Sequence, residues 1–298
     1  MSTTSTGSSS PPEPTVPRAP HRPAEIDAAL RAVGVVPSKR LGQSFLVNPF
    51  VADAEAALVG AAPGEPVLEL GGGLGILTEA LLRRRFGPVL VVERDRRLAT
   101  HLRNSFGPRI RVLEGDALAM DLPATRVVVG NLPFSVATPI LERLWSRRTP
   151  RIVALLQREV AERLAAGPGS KVYGRLSIVA ALYGTVELFQ PVPAREFHPT
   201  PEVEGRMVVL EARPGPLPVP SLTAFEAVLH GLFSARRKQL GNLLPRVAPT
   251  GADLDALALR AEWPDGWRRL RPEDLPPEAF FRLSAAIGPG RARARSSP

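Results

Sequence analysis

Short apolar runs alternate with segments of helical periodicity through the first half of the chain. The runs are PVLEL at 66–70, VLVVE at 89–93, IRVLE at 110–114, RVVVG at 126–130 and IVALLQ at 152–157. Segments between them, such as RRLATHLRNSF, repeat apolar residues every three or four positions, as helices with one buried side do. Continuous apolar runs of this length are typical of parallel strands buried on both faces. The pattern therefore predicts an α/β fold with a Rossmann-like, doubly wound and mostly parallel sheet.

The periodicity changes after the fifth run. TVELFQ at 185–190 and RMVVLEA at 206–212 flank a proline-rich segment, which predicts an antiparallel hairpin at the edge of the sheet. After the turn-rich RPGPLPVP at 213–220, helical spacing dominates. This last part predicts a small, all-helical C-terminal domain.

These changes divide the chain into four parts. Residues 1–23 are rich in Ser, Thr and Pro, and we expect a disordered tail because they offer little apolar surface to bury. An α/β domain is expected over 24–213 and a helical domain over 214–287. Residues 288–298 form a basic tail that either contacts phosphates or is simply solvated.

The composition excludes several classes of protein. The chain has 298 residues and no cysteine, which excludes disulfides, thiolate metal sites and cysteine nucleophiles. Its four histidines show no metal-ligand spacing, so we expect no metal. It has neither an apolar stretch of roughly 18 residues nor a signal peptide pattern, so we expect a cytoplasmic protein without membrane contact.

The charge balance points to a polyanionic partner. Lys and Arg number 38 against 29 Asp and Glu, which gives a formal net charge of +9. GC-rich codon usage would explain why Arg outnumbers Lys, but it does not explain the excess of base over acid. Dispersed cations attract phosphate backbones, so nucleic acid is the expected partner.

Four glycines follow the first strand in the segment ELGGGLGILT. Gly71, Gly72, Gly73 and Gly75 would let the backbone approach a ligand closely, or would simply form a tight turn into the next helix. A dinucleotide fingerprint would need a third glycine where Ile76 stands, which weakens an NAD interpretation.

Acidic residues end the next two strands. Glu93 lies about 20 residues beyond the glycines, where an acid commonly binds ribose hydroxyls in both NAD and S-adenosylmethionine sites. Asp116 follows the third strand, where a carboxylate can accept a hydrogen bond from an adenine amine. Either acid alone is more commonly a solvated loop residue, but together, beside a glycine loop, they predict a site for an adenosine-containing cofactor.

The fourth strand leads into GNLPFSVAT, which suggests methylation of an aromatic amine. The Asn131 side-chain oxygen and the Leu132 carbonyl are positioned to accept the two protons of an adenine amine and to make its nitrogen more nucleophilic. Pro133 fixes the turn, and Phe134 is a candidate to stack on the base. No general base is required, because the ammonium formed on attack loses its proton readily. Positioning and a sulfonium methyl donor would supply the catalysis.

Eight motifs in order resemble those of the KsgA family of small-subunit rRNA adenine dimethyltransferases. They are LGQSFL at 41–46, VLELGGGLGILT at 67–78, VVERD at 91–95, EGDAL at 114–118, GNLPFSVATPIL at 130–141, YGRLSIV at 173–179, FHPTPEV at 197–203 and FSARRKQLGNLL at 233–244. Together they span most of residues 38–287.

The resemblance implies a class I methyltransferase fold with S-adenosylmethionine as methyl donor. It implies, as substrate, two adjacent adenosines in the 3′-terminal hairpin of small-subunit rRNA, in a precursor of the small ribosomal subunit. It also implies a monomer acting in ribosome biogenesis. The cofactor-binding positions that it implies are Ser44, Leu46, Gly71, Gly73, Glu93, Asp116 and Asn131.

The chain departs from the family pattern at three of these motifs. Ser44 stands where Asn or His is usual, so a longer side-chain contact is lost. Gly72 replaces a usual Pro, which makes the loop less rigid. Phe134 replaces the commoner Tyr, so stacking is kept without a phenolic hydrogen bond.

The same motifs suggest where RNA would bind. Phe197, in FHPTPEV, either closes over a base flipped out of its stack or steadies a proline-rich loop. We interpret His198 as structural. Arg236, Arg237 and Lys238 are expected to crowd one turn of a C-terminal helix, either as phosphate contacts or as a solvated helix face.

Two other functions remain open from sequence. The Erm group of large-subunit rRNA methyltransferases shares the fold and the FHPxPxV motif, and it confers macrolide resistance. A non-enzymatic nucleic-acid-binding factor on the same fold is the second alternative. The complete set of Glu93, Asp116 and Asn131 favours an enzyme over such a factor.

Overall fold

The computed structural model describes residues 16–37 and 44–288 of the chain. Its strands are β1 Phe45–Leu46, β2 Val67–Leu70, β3 Val89–Glu93, β4 Ile110–Glu114, β5 Val127–Asn131, β6 Arg151–Gln157, β7 Gly184–Val192, β8 Phe197–His198 and β9 Gly205–Ala212. Its helices are α1 Pro23–Ala32, α2 Pro49–Ala57, α3 Ile76–Arg83, α4 Arg96–Phe106, α5 Ala137–Ser146, α6 Arg158–Leu164, α7 Arg175–Tyr183, α8 Leu222–Phe233, α9 Leu240–Val247, α10 Leu254–Arg260 and α11 Pro277–Ile287.

Seven strands form one sheet in the order β4-β3-β2-β5-β6-β9-β7. The first five positions pair in parallel, and they are the five apolar runs of the sequence, each within one residue of its predicted bounds. β9 pairs antiparallel with both β6 and β7, which confirms the predicted hairpin and places β7 at the edge. The chain therefore has the predicted α/β fold.

Alternate residues of the strands pack against helices on opposite faces of the sheet. Val67, Val129 and Val153 contact the apolar sides of α2, α3 and α4. Their neighbours Leu68 and Val128 contact α5, α6 and part of α7. Because both faces are covered, the parallel strands read as continuous apolar runs rather than as an alternating pattern.

The sheet reverses its direction of growth between β2 and β5. The chain moves outward from β2 through β3 to β4, then returns to β5 on the other side of β2. Gly130 allows β5 to lie directly beside β2, because a Cβ at this position would lie 2.5 Å from the Leu70 carbonyl oxygen. Ligands of such sheets bind beyond the carboxyl ends of the strands at the reversal.

The C-terminal helices α8 to α11 surround a core of their own, and α7 completes it. Phe225, Leu244 and Phe280 are buried there together with Ile178 of α7. The buried Tyr173 hydroxyl donates to the Leu275 carbonyl oxygen at 2.9 Å and joins the two parts of the chain. None of the described helices is long and apolar enough to cross a membrane.

The expected boundary of the N-terminal tail is wrong. Ala19 is 4% exposed and its amide donates to Glu79 at 2.7 Å, while Pro23 already begins α1. Contacts with α3 stabilise this part of the N-terminal segment, and local composition does not reveal such contacts. Residues 1–15, and 289–298 of the basic tail, lie outside the described residues.

Candidate active site

A large cavity opens at the carboxyl ends of β2 to β5, where the sheet reverses. Its volume is about 370 Å³, within the range of small-molecule sites. The glycine loop after β2, the ends of β3 and β5 and the turn after β4 form its walls. All the predicted cofactor positions line it, namely Ser44, Leu46, Gly71, Gly73, Glu93, Asp116 and Asn131.

The glycine loop has a backbone that side chains would hinder. Gly71, Gly73 and Gly75 all have positive φ values, of 79°, 56° and 92°. The Gly71 amide donates to the Val92 carbonyl at 2.8 Å, which ties the loop to the end of β3. A Cβ at Gly72 would lie 2.4 Å from Val91 Cγ1, so the side chains of β3 and α4 fill the space at this position. The loop thus brings backbone close to any ligand in the cavity.

Glu93 is held in place by backbone donors from both sides. Its Oε2 accepts the Gly73 amide and its Oε1 accepts the Asp95 amide, each at 2.9 Å. Burial raises the pKa of this carboxyl, while the two amides act in the opposite direction. The carboxyl group is therefore fixed between the glycine loop and α4, with lone pairs left for a further donor.

Asp116 lies on the turn that follows β4. Its Oδ1 accepts the Leu118 amide at 2.9 Å, and its Oδ2 lies 3.6 Å from Arg94 Nη1. The Arg94 side chain is mostly exposed, so this ion pair holds it weakly. One carboxylate oxygen of Asp116 thus shapes the turn, and the other faces the exposed Arg94 at the cavity wall.

The segment from Asn131 to Phe134 closes another wall of the cavity. Asn131 is the last residue of β5 and pairs with Leu155 of β6. The buried Leu132 follows, and the Pro133 carbonyl accepts the Val136 amide at 3.0 Å in the turn that leads into α5. Asn131, Leu132, Pro133 and Phe134 therefore line the cavity from one short, hydrogen-bonded turn.

A two-stranded sheet of β1 and β8 covers the same side of the cavity. Leu46 pairs with Phe197, and both are 2% exposed. The Phe197 ring meets that of Phe134 edge to face, with 6.4 Å between centroids. The Ser44 hydroxyl donates to the Pro199 carbonyl, so it joins the two segments. Both aromatic residues predicted to meet a base therefore lie together.

The part that α1 plays in this cavity could not be predicted from the sequence. Pro20 and Ile26 line it, and Ile26 packs with Leu74 and Leu98 over the glycine loop and α4. The only sequence cue was the helical spacing of residues 23–32, which says nothing about where the helix docks.

Two buried carboxyl groups lie beneath the glycine loop. Glu69, at the cavity wall, accepts the Thr78 hydroxyl at 2.6 Å, and burial raises its pKa to about 7. Glu55 of α2 is fully buried, and neither of its carboxylate oxygens has a partner among the described residues. Burial, with a smaller effect of Glu69, raises the pKa of Glu55 to about 8.

The basic triplet does not lie on a helical turn as expected. Residues 234–239 form turns between α8 and α9. Arg236 pairs with Glu273 and donates to the Lys171 carbonyl at 2.9 Å, so it anchors the loop. Arg237 and Lys238 are exposed. The triplet thus divides into one structural residue and two exposed cations.

Comparisons with known proteins agree with this geometry. A protein family described as ribosomal RNA adenine dimethylase matches residues 37–258. The chain is 39% identical over 282 residues to the ribosomal RNA small subunit methyltransferase A of Deinococcus radiodurans, covering 90% of this chain and 91% of the relative.

Two solved structures share the fold over most of their length. A dimethyladenosine transferase from Plasmodium falciparum is 24% identical with a TM-score of 0.68, and the match covers 80% of this chain and 95% of that one. The 23S rRNA methyltransferase ErmE is 25% identical with a TM-score of 0.64, and the match covers 82% and 99%. By its matched sequence and the class I methyltransferase fold described above, this chain belongs to the ribosomal RNA adenine dimethylase family.

Proposed function

We propose that this protein transfers methyl groups from S-adenosylmethionine to the exocyclic amines of two adjacent adenosines near the 3′ end of small-subunit rRNA. The observation that supports this most directly is the composition of the cavity at the carboxyl ends of β2 to β5. It joins two acids suited to an adenosine moiety, Glu93 and Asp116, to an amide and aromatic turn suited to a second adenine, Asn131 to Phe134.

The residues of the cavity fit S-adenosylmethionine. Gly71 and Gly73 leave room for the backbone to approach the methionine part. Glu93, buried and held by two backbone amides, would accept the ribose hydroxyls, and Asp116 would accept the adenine amine. The bound cofactor would supply an electrophilic methyl group on a positively charged sulfur.

The chain's own groups would orient the acceptor amine. The Asn131 side-chain oxygen and the Leu132 carbonyl would accept its two N–H groups and direct the nitrogen lone pair into the cavity. Phe134 would stack on the base and Phe197, which meets Phe134 edge to face, would close the pocket beside it, while the buried Leu46 and Leu132 exclude water. Fixing the two reactants in line would lower the barrier mainly through positioning.

The choice of small-subunit rRNA rests on the relatives. The ErmE structure shows that overall shape does not separate the two rRNA targets, since it covers 82% of this chain at a TM-score of 0.64. The relative named for the small subunit matches at 39% identity over 90% of the chain. This favours the small-subunit target over the Erm-type alternative.

Methyl transfer to rRNA from a strain lacking the modification tests the proposal. We expect the wild-type protein to label small-subunit rRNA at two adjacent adenosines, located by mass mapping. Asn131→Ala should reduce turnover by about 100-fold or more, because it removes a contact made to the reacting amine, while RNA binding changes little. Labelling of large-subunit rRNA alone would overturn the proposed target. Equal turnover of the variant would overturn the role of Asn131, and binding without any labelling would favour the non-enzymatic alternative.

A further inference from the structure

One hydrogen bond connects the two halves of the cavity through elements outside the main sheet. Asp27 Oδ1 of α1 lies 2.7 Å from His198 Nε2 of β8. Each partner adjoins a residue of the cavity wall, since Ile26 precedes Asp27 and Phe197 precedes His198. The contact therefore joins the two walls without entering the cavity.

Ile26 belongs to the wall on the cofactor side. It is fully buried and packs with Leu74 of the glycine loop and Leu98 of α4. Two more hydrogen bonds fix this N-terminal segment to the same side. The Ala19 amide donates to Glu79 of α3 at 2.7 Å, and Arg97 of α4 donates to the Gly34 carbonyl at 2.6 Å. These contacts therefore tie the position of α1 to the positions of the glycine loop, α3 and α4.

Phe197 belongs to the wall on the side of the target base. It packs edge to face on Phe134 and pairs with Leu46 through a sheet of only two residues per strand. So short a strand pair has few hydrogen bonds of its own, so its position is sensitive to each added contact. The bond from His198 to α1 is such a contact.

We propose that Asp27 and His198 are positioning residues that couple cofactor binding to the placement of Phe197 against the target adenine. The inference rests on the proposed function. A cofactor that contacts Ile26 would hold α1 more firmly against the glycine loop, and Asp27 of α1 would in turn hold His198 and the neighbouring Phe197. Because coupling between two binding sites is reciprocal, RNA that engages Phe197 must tighten cofactor binding by the same factor.

The size of the coupling follows from the exposure of the pair. The side chains are 25% exposed for His198 and 45% for Asp27, so solvent weakens the interaction. We expect a coupling of about fivefold, at the lower end of the range for linked sites. Asp27→Asn keeps an acceptor oxygen and should retain most of it, whereas Asp27→Ala and His198→Ala should remove it.

The test measures S-adenosylhomocysteine binding to the full-length protein by calorimetry, with and without small-subunit particles from a strain that lacks the modification. The ratio of the two dissociation constants is the coupling. We expect a ratio of about five for the wild type and for Asp27→Asn, and about one for the two alanine variants. Arg31→Ala, at an exposed position of the same helix, is the matched control and should keep the wild-type ratio.

Thermal unfolding of each variant separates coupling from loss of structure. All four substitutions should leave the melting temperature within a few degrees of wild type, because their side chains are partly exposed. A ratio near one in the wild type, or an unchanged ratio in Asp27→Ala, would overturn the coupling. Failure of the proposed function would show separately, as absence of methyl transfer by the wild-type protein to the same particles.

Discussion

At the scale of single residues, two buried acids lie close to the proposed cofactor site. Glu69 accepts the Thr78 hydroxyl, whereas neither carboxylate oxygen of Glu55 has a partner among the described residues. Because burial penalises the charged form of a carboxyl group, it raises the pKa of both. The stability of the fold should therefore depend on their protonation.

Replacing Glu55 by Gln should stabilise the protein increasingly as the pH rises. The folded state keeps a proton on Glu55 up to a pKa of about 8, while the unfolded carboxyl loses it near 4.5. The contribution of this group is therefore fully present below pH 4.5 and is lost as the pH rises through 8. The variant should gain up to about 1.4 kcal/mol per pH unit over the wild type between pH 5 and 8.

Urea unfolding at pH 5, 6, 7 and 8 measures this difference. Glu69 titrates in the same range in both proteins, so the comparison is made between variant and wild type at each pH. Glu202→Gln, at an exposed position, is the control and should show no such trend. A constant difference across the range would mean that Glu55 is already ionised in the folded protein.

The location of the proposed site could be predicted from sequence, whereas these buried acids could not. Glu93, Asp116 and Asn131 could be grouped because parallel strands end at one edge of their sheet. A lone acid in a helix or strand is usually exposed or paired, so the burial of Glu55 and Glu69 can be established only from the fold.

At the scale of elements, apolar runs predicted the strands closely and helical spacing predicted the C-terminal helices less well. The strands are buried on both faces, so each run is bounded sharply by polar or turn residues. The helix expected through residues 234–239 is interrupted because backbone groups beside this segment form hydrogen bonds with distant residues. The Leu240 amide, for example, donates to the Leu270 carbonyl at 2.7 Å, and such tertiary contacts override local spacing.

Substitutions in this interrupted segment should affect stability and RNA binding separately. Arg236→Ala removes an ion pair and carbonyl contacts that are partly buried, and we expect it to lower the free energy of unfolding by about 1–2 kcal/mol. Arg237→Ala and Lys238→Ala should leave stability within about 0.5 kcal/mol and weaken binding to small-subunit particles. Urea unfolding and filter binding of the three variants check both effects. Equal loss of binding in Arg236→Ala, without loss of stability, would contradict the anchoring role.

At the scale of the whole molecule, the net charge indicates a class of binding partner that the fold alone does not indicate. The net charge of +9 was the first indication of a nucleic-acid partner, and it is independent of any motif. The sequence could not show how the cations are distributed, because many arginines are committed to ion pairs and to backbone carbonyls, as Arg126 is to Glu65 and Gly60. Which cations stay exposed and available to bind RNA therefore depends on the folded structure.

RNA binding should therefore depend strongly on salt. A plot of log binding constant against log salt concentration should fall linearly, and the Arg237→Ala, Lys238→Ala double variant should lower its slope by about 1–2. Cofactor binding, measured in the same buffers, should change far less, because the contacts proposed for it are backbone amides and single carboxylates. An unchanged slope in the double variant would place the phosphate contacts elsewhere on the surface.

The helix α7 has a consequence for how the substrate is selected. One side of α7 lies in the sheet's core at Ala180, and the other lies in the C-terminal core at Ile178 and Leu182. Packed side chains, rather than a hinge, therefore set the distance that separates Arg237 and Lys238 from Asn131. If Arg237 and Lys238 bind phosphates as expected, an RNA held there would present to Asn131 only those nucleotides that lie at the matching distance along its own helix. The protein would then select its adenosines by their distance from the bound helix as well as by the sequence around them.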